Sequence, residues 1–147
     1  MIPQTEAIVT PLLLDHEGKR YFPYHDSLGI LTIGVGRNLT NKGLSPDEVD
    51  LCFANDLKQA LYDATKYLGF QAFTALSPHR QAALLDLAFN LGADRLSKFQ
   101  GLRACLLRQD YPGAAMHLRG SKWARQVQPK RVLDLTTLME FGHLPKN

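Results

Sequence analysis

The segment from Ser77-Pro78 to Gly92 limits the architecture more than any other part of the chain. Ser77 and Pro78 make a helix start, a hydroxyl cap followed by a proline in the first turn, and Gly92 makes a helix stop. Between them Ala82, Ala83, Leu84, Leu85, Leu87, Ala88, Phe89 and Leu91 are apolar almost all round, as expected of a helix buried on every side. A membrane span needs about 20 apolar residues, and no stretch approaches that length, so the rest of the chain has to supply the cover. At 147 residues it suits one sizeable core, or two small lobes sharing a helix.

Helix signals account for most of that cover. Shorter helices are predicted at about 98–108, 112–118, 122–126 and 130–141, punctuated by Gly101, Pro112-Gly113, Gly120, Pro129 and Gly142. A longer one opens at Ser45-Pro46-Asp47-Glu48, a capping box with Ser45 as cap and Glu48 reaching back. Val49, Phe53, Leu57, Ala60, Leu61 and Ala64 carry it at helical spacing to about Tyr67. Near the start, Thr10-Pro11 predicts a helix from Pro11 to about Glu17, ended by Gly18. Only residues 19–24 and 30–35 read as strands, an antiparallel pair about the turn Asp26-Ser27-Leu28-Gly29. Gly34 and Gly36 suit a bend or a close approach in the second of them. The fold class is therefore α+β, mainly α.

Charge is uneven. Residues 100–147 hold eight Lys and Arg against three Asp and Glu, and the first 99 residues hold nine against eleven. A basic far half suits an anionic polymer, and it equally describes a solvated helix face. Nucleic acid is excluded as a partner, because there is no run of five or six basic residues and no recognised motif. Cys52 and Cys105 are too few for a disulfide framework and lie in helix-like apolar contexts, which predicts two buried thiols and leaves a bridge open. His16, His25, His79, His117 and His143 show no metal-ligand spacing, so neither metal nor cofactor is expected. Before the apolar run interrupted by Pro11 there is no basic residue, which predicts a chain without a signal peptide, made in the cytoplasm.

Acid–base groups concentrate at the strand pair. Glu17, Asp26 nine positions on and Thr32 six further share one short tract. Leu12, Leu13 and Leu14 precede Glu17, so partial burial would raise its pKa and favour it as an acid. Asp26, at a turn among backbone amides and water, is expected to stay ionised as a base. The Thr32 hydroxyl is suited to orienting a water for it. His25 is read as an exposed turn residue, or as a group that tunes Asp26.

This tract resembles the phage-type lysozymes, whose pattern is a Glu, eight residues, an Asp or Cys, five residues and a Thr. Glu17, Asp26 and Thr32 fall on all three positions, within His16-Glu17-Gly18 and Leu31-Thr32-Ile33-Gly34-Val35-Gly36. The helix 79–92 and the segment Ser121-Lys122-Trp123 with Pro129-Lys130-Arg131-Val132 extend the likeness over about residues 11 to 135. Two departures stand out. The tract between Gly36 and Ser45 is short, so a strand and loop of the small lobe are expected to be missing. Arg37 also replaces a histidine that makes a structural ion pair in the family.

The resemblance implies a small hairpin lobe at about 18–45 and a connecting helix at about 46–67. A helical lobe of about 68–147 plus the N-terminal helix completes it, with a cleft between hairpin and helical lobe. It implies a monomeric endolysin that hydrolyses the β-1,4 bond between N-acetylmuramic acid and N-acetylglucosamine in peptidoglycan. Inversion is the expected course, with Glu17 as acid and Asp26 as base. Release through a holin-type pore and no stable membrane insertion are expected with it. Phe89 and Asn90 correspond to an aromatic and an amide lining the family's cleft, and Arg131 to an arginine that pairs with the acid. Core packing is the rival reading for Phe89 and for Trp123, and Lys130 or Arg125 is the rival for Arg131. On the same fold, a non-catalytic wall-binding module and a basic membrane-disrupting protein are the competing functions.

Overall fold

The structure is a computed structural model that describes residues 2–146, and it divides into two compact units, Met1–Leu51 and Cys52–Asn147. The first holds α1 (Pro3–Glu17), β1 (Arg20–His25), β2 (Leu31–Gly34), β3 (Arg37–Asn38) and α2 (Leu39–Lys42). Helix α3 (Pro46–Leu68) starts in the first unit and ends in the second. It is followed by α4 (Phe70–Ala75), α5 (Pro78–Ser97), α6 (Gln100–Leu107), α7 (Tyr111–Arg119), α8 (Lys122–Gln126) and α9 (Pro129–Phe141). The α+β, mainly α class is what the chain adopts.

In the first unit, α1 starts eight residues earlier than the Thr10-Pro11 signal suggests. Pro3 occupies the first turn and Pro11 lies inside the helix. Proline removes the backbone donor that would serve the Ala7 carbonyl, and the Thr10 hydroxyl adds a bond to the Glu6 carbonyl at 2.7 Å one position before it. Gly18 ends the helix at φ 72°, its amide donating to the Leu14 carbonyl. The sheet is antiparallel in the order β1-β2-β3, with Tyr24 opposite Thr32 and Thr32 opposite Asn38. The short tract after Gly36 thus still builds a two-residue strand, and Asn38 then caps α2 by accepting from the Asn41 amide at 2.9 Å.

Half of the capping box forms. Glu48 Oε2 accepts from the Ser45 amide at 2.8 Å, while the Ser45 hydroxyl donates to Asp47 Oδ1 at 2.6 Å. Arg37 forks onto the same Glu48, Nη1 to Oε2 at 3.0 Å and Nη2 to Oε1 at 2.5 Å, and also donates to the Gly43 carbonyl. An ion pair therefore exists at the position where the family's histidine pair is absent, built from different residues.

The Ser45 amide, and after it the Arg37 guanidinium, holds the Glu48 carboxyl below its ordinary range. The unfolded chain accepts a proton on Glu48 near the usual value of about 4.3 and the folded chain resists it. The group's contribution to stability is therefore complete above that value and is lost as pH falls through the lowered one. Thermal unfolding across pH should find Glu48→Gln slightly less stable than the wild type near neutrality. The two curves should converge in acid. A constant offset at every pH would show that the carboxylate's charge is not what stabilises this corner.

The second unit has its core around α5. Leu84, Leu87, Leu96, Leu118 and Met139 are wholly inaccessible, with Leu102, Cys105, Trp123 and Leu135 close to it. Ser77 caps α5 by accepting from the Arg80 amide, and Gly92 interrupts the helix at φ 75°, ψ 171°, which only glycine adopts readily. Burial is not complete on all sides, however. Ala82, Leu85, Asp86 and Phe89 form an i, i+3, i+4, i+7 stripe left open, Phe89 being 42% exposed. On α3 the expected stripe is likewise buried only at its far end, at Ala60, Ala64 and Leu68, while Val49, Phe53, Leu57 and Leu61 are exposed.

The cysteines are both free, Cys105 buried as expected and Cys52 exposed, contrary to expectation. Cys52 lies on the first half of α3, ahead of its first buried residue, Ala60. Tyr67 is half-buried and donates its hydroxyl proton to the Phe99 carbonyl, and burial pushes its phenol well above the ordinary range.

Candidate active site

Asp26 sits at the hairpin tip with its carboxylate already oriented. Oδ1 accepts from the Leu28 amide at 2.8 Å and the Ile30 amide at 2.9 Å, an Asx turn that any residue without a side-chain acceptor would lose. The Asp26 amide donates to the Ile30 carbonyl at 3.0 Å, and Gly29 closes the turn on the Asp26 carbonyl at 2.9 Å. The other carboxylate oxygen, Oδ2, accepts none of these bonds.

Thr32 is buried and its hydroxyl donates to the Ile30 carbonyl at 2.8 Å. That one carbonyl thus receives both the Asp26 amide and the Thr32 hydroxyl, and it draws the two residues together from opposite sides of the turn. With its proton committed, the Thr32 oxygen has only acceptor capacity left. Asp26 Oδ2 and Thr32 Oγ1 each therefore keep acceptor capacity. His25 is exposed, as expected of a turn histidine.

Glu17 ends α1 and is exposed; Leu12, Leu13 and Leu14 are each nearly half exposed and do not enclose it. The burial anticipated for this carboxyl is therefore not provided. Its side chain does lie close against the sheet's exit, where a Cβ on Gly36 would fall 2.7 Å from Glu17 Oε2.

The second unit carries the other three expected site residues. Phe89 and Arg131 line one cavity of about 410 Å³ with Phe53, Leu57, Ala82, Leu85 and Asp86. Phe53 and Phe89 face each other with centroids 5.9 Å apart at 55°. Arg131 Nε donates to Asp86 Oδ1 at 2.7 Å, and Lys130 pairs with Asp134 at 2.6 Å. Asn90 lies outside this cavity and accepts from Trp123 Nε1 at 2.8 Å, so its amide nitrogen is its remaining donor. Trp123 is core, 2% exposed. A larger concavity of about 620 Å³ has Arg95, Lys98, His117 and Lys122 around Phe99 and Trp123.

Asp86, Phe53 and Leu57 were not anticipated as site residues. Asp86 did carry a signal, as the one charge between Ala82 and Leu91, but its partner lies 45 residues away. Among the described residues, no group of three or more His, Cys, Asp and Glu is placed to hold a metal ion, and no helix is long and apolar enough to cross a membrane.

The family model for phage lysozyme matches residues 14–137, from the end of α1 almost to the end of α9. The chain belongs to the phage lysozyme family. Glu17, Asp26 and Thr32 all lie inside the matched span, as do Phe89, Asn90 and Arg131. The chain is also 22% identical over 155 residues to probable T4-type lysozyme 2 of Dictyostelium discoideum, covering 87% of this chain and 91% of that protein. Family membership supports a lysozyme role and implies peptidoglycan as substrate.

Proposed function

We propose that the protein is an endolysin, a muramidase that cleaves the β-1,4 bond between N-acetylmuramic acid and N-acetylglucosamine by single displacement. Glu17 acts as the general acid on the leaving oxygen, Asp26 as the base for an attacking water, and Thr32 as the group that orients that water. The observation that carries this reading is the Ile30 carbonyl, which accepts from both the Asp26 amide and the Thr32 hydroxyl and ties the two residues to one point of the hairpin. It supports a water held by two acceptors, which a capping aspartate by itself does not require.

Phe89 and Arg131, in one largely apolar cavity that the Arg131–Asp86 ion pair also lines, are proposed to receive substrate, the aromatic against a sugar face. Asn90 is proposed to give its free amide protons to an N-acetyl carbonyl. The basic concavity around Arg95, Lys98 and Lys122 complements the carboxylates of wall peptides.

The test is the purified protein on purified, nucleic-acid-free peptidoglycan, with new reducing ends counted and the released muropeptides identified by mass. Products ending in reducing N-acetylmuramic acid are expected. Turbidity loss without new reducing ends, or products ending in reducing N-acetylglucosamine, would overturn the muramidase reading.

A further inference from the structure

Two glycines leave β2 in the left-handed region at almost the same angle, Gly34 at φ +67° and Gly36 at φ +66°. Their surroundings differ sharply. A Cβ on Gly34 would meet nothing within 4 Å, whereas one on Gly36 would lie 2.7 Å from Glu17 Oε2, 2.8 Å from its Cδ and 3.2 Å from its Cγ. The side chain that Gly36 lacks is thus the space that the Glu17 carboxyl fills.

The neighbouring backbone is firmly anchored. Arg37, next in sequence, forks onto Glu48 and reaches the Gly43 carbonyl, and the Ser45 amide holds the same carboxylate. An exposed glutamate at a helix end has three side-chain torsions and no enclosure of its own to select among them. A fixed, bare backbone surface against its carboxyl restricts that choice.

We propose that Gly36 is a positioning residue for Glu17: its bare backbone, held in place by the Arg37–Glu48 fork, is the seat that keeps the acid's carboxyl in its working orientation. The proposal rests on the reading of Glu17 as the general acid. Displacing a reacting group by about 1 Å costs on the order of 10²-fold in rate, and a Cβ on Gly36 forces a shift of that kind.

Gly34→Ala is the matched control, because it places the same methyl at the same φ with nothing to strike. Both variants should lose similar thermal stability from backbone strain. On purified peptidoglycan, Gly36→Ala should lose about 30-fold or more in kcat with KM within about twofold, and Gly34→Ala should stay within about threefold of wild type in both. The alkaline limb of kcat against pH, which reports the acid in the substrate complex, should move in Gly36→Ala and not in Gly34→Ala. Glu48→Gln, which loosens the seat without adding an atom to it, should lower kcat by about threefold or more at unchanged KM.

Equal kcat and equal alkaline limbs in the two alanine variants would overturn the proposal while a dead Glu17→Gln leaves the acid assignment standing. An active Glu17→Gln would instead overturn the assignment on which it rests. Should Gly36→Ala fail to fold, Glu48→Gln decides, and wild-type kcat with an unmoved alkaline limb would overturn it.

Discussion

Glu17→Gln should abolish wall hydrolysis while leaving the fold in place. The amide matches the carboxyl in size and has no proton to give to a leaving glycosidic oxygen. Losing a positioned general acid costs typically 10²–10⁴-fold, and an alkoxide leaving group makes this reaction depend heavily on it. Glu17 is exposed at the end of α1, so the neutral side chain leaves no buried group unpaired and the melting temperature should hold to within a few degrees. Reducing-end release and thermal unfolding on the same preparation check both halves. A folded variant that keeps more than about a tenth of wild-type turnover would remove Glu17 from the mechanism, since even the weakest general acids contribute more. The same variant separates the competing functions. A basic membrane-disrupting protein would still kill permeabilised cells with Gln at this position, and a wall-binding module would still sediment with peptidoglycan but would never have released reducing ends.

The parts of this molecule that were legible in its sequence are those governed by chemistry within a few residues. Gly18 and Ser77 mark helix ends through backbone freedom and a cap, and Gly92 breaks α5 where a stop was expected, though the helix resumes as far as Ser97. Asp26-Ser27-Leu28-Gly29 forms its turn through a side chain bonding its own backbone, the event that the residue types predict. Three short elements give no period to detect, whereas the five-residue α8 is framed by Gly120 and Pro129. Helix α2 has four residues, β3 two and α4 six, so none completes the pattern of two turns or repeated alternation on which the reading depends. Thr10-Pro11 has the form of a helix start, and nothing local distinguishes it from a proline carried inside a helix that begins at Pro3.

What remained hidden was long-range pairing. Arg37 finds Glu48 and Arg131 finds Asp86 across 11 and 45 residues, and no spacing rule connects either pair. Burial of an apolar face is likewise not a local property. Apolar periodicity identifies which residues of α3 and α5 share a face, but it does not say whether that face meets core or lines a cavity. Phe53, Leu57 and Phe89 are on predicted faces and line a cavity. Of the candidate site, the acid–base tract was legible because the turn that builds it is local. Asn90 was legible as an amide, but its bond to Trp123 was not, and that bond occupies the oxygen while leaving the NH2 group free to donate.

Asp26 offers the second large effect, and it bears on how the bond breaks. Asp26→Asn can keep the turn, because its amide oxygen can accept from Leu28 and Ile30 as Oδ1 does. Its nitrogen then replaces Oδ2, and a donor stands where a water proton needs an acceptor. Turnover should fall by about 10²-fold or more, with KM and melting temperature little changed. Asp26→Ala should add a loss of stability of about 1 kcal/mol per amide left without its partner, discounted for a turn that water can reach. The product stereochemistry tests the role itself. Inverting glycosidases hold their carboxyls roughly 6.5–9.5 Å apart to admit a water, and retaining ones about 5–5.5 Å. A base that works with Thr32 on a water requires the wider arrangement, and a nucleophile attacking carbon directly would have no use for a second acceptor beside it. Cleavage of a β-linked substrate by one displacement places the new hydroxyl on the opposite face, so proton NMR of the earliest products should show the α-anomer before mutarotation. An initial β-anomer, or a glycosyl ester trapped on Asp26, would make Asp26 a nucleophile and would leave Thr32 without the task assigned to it.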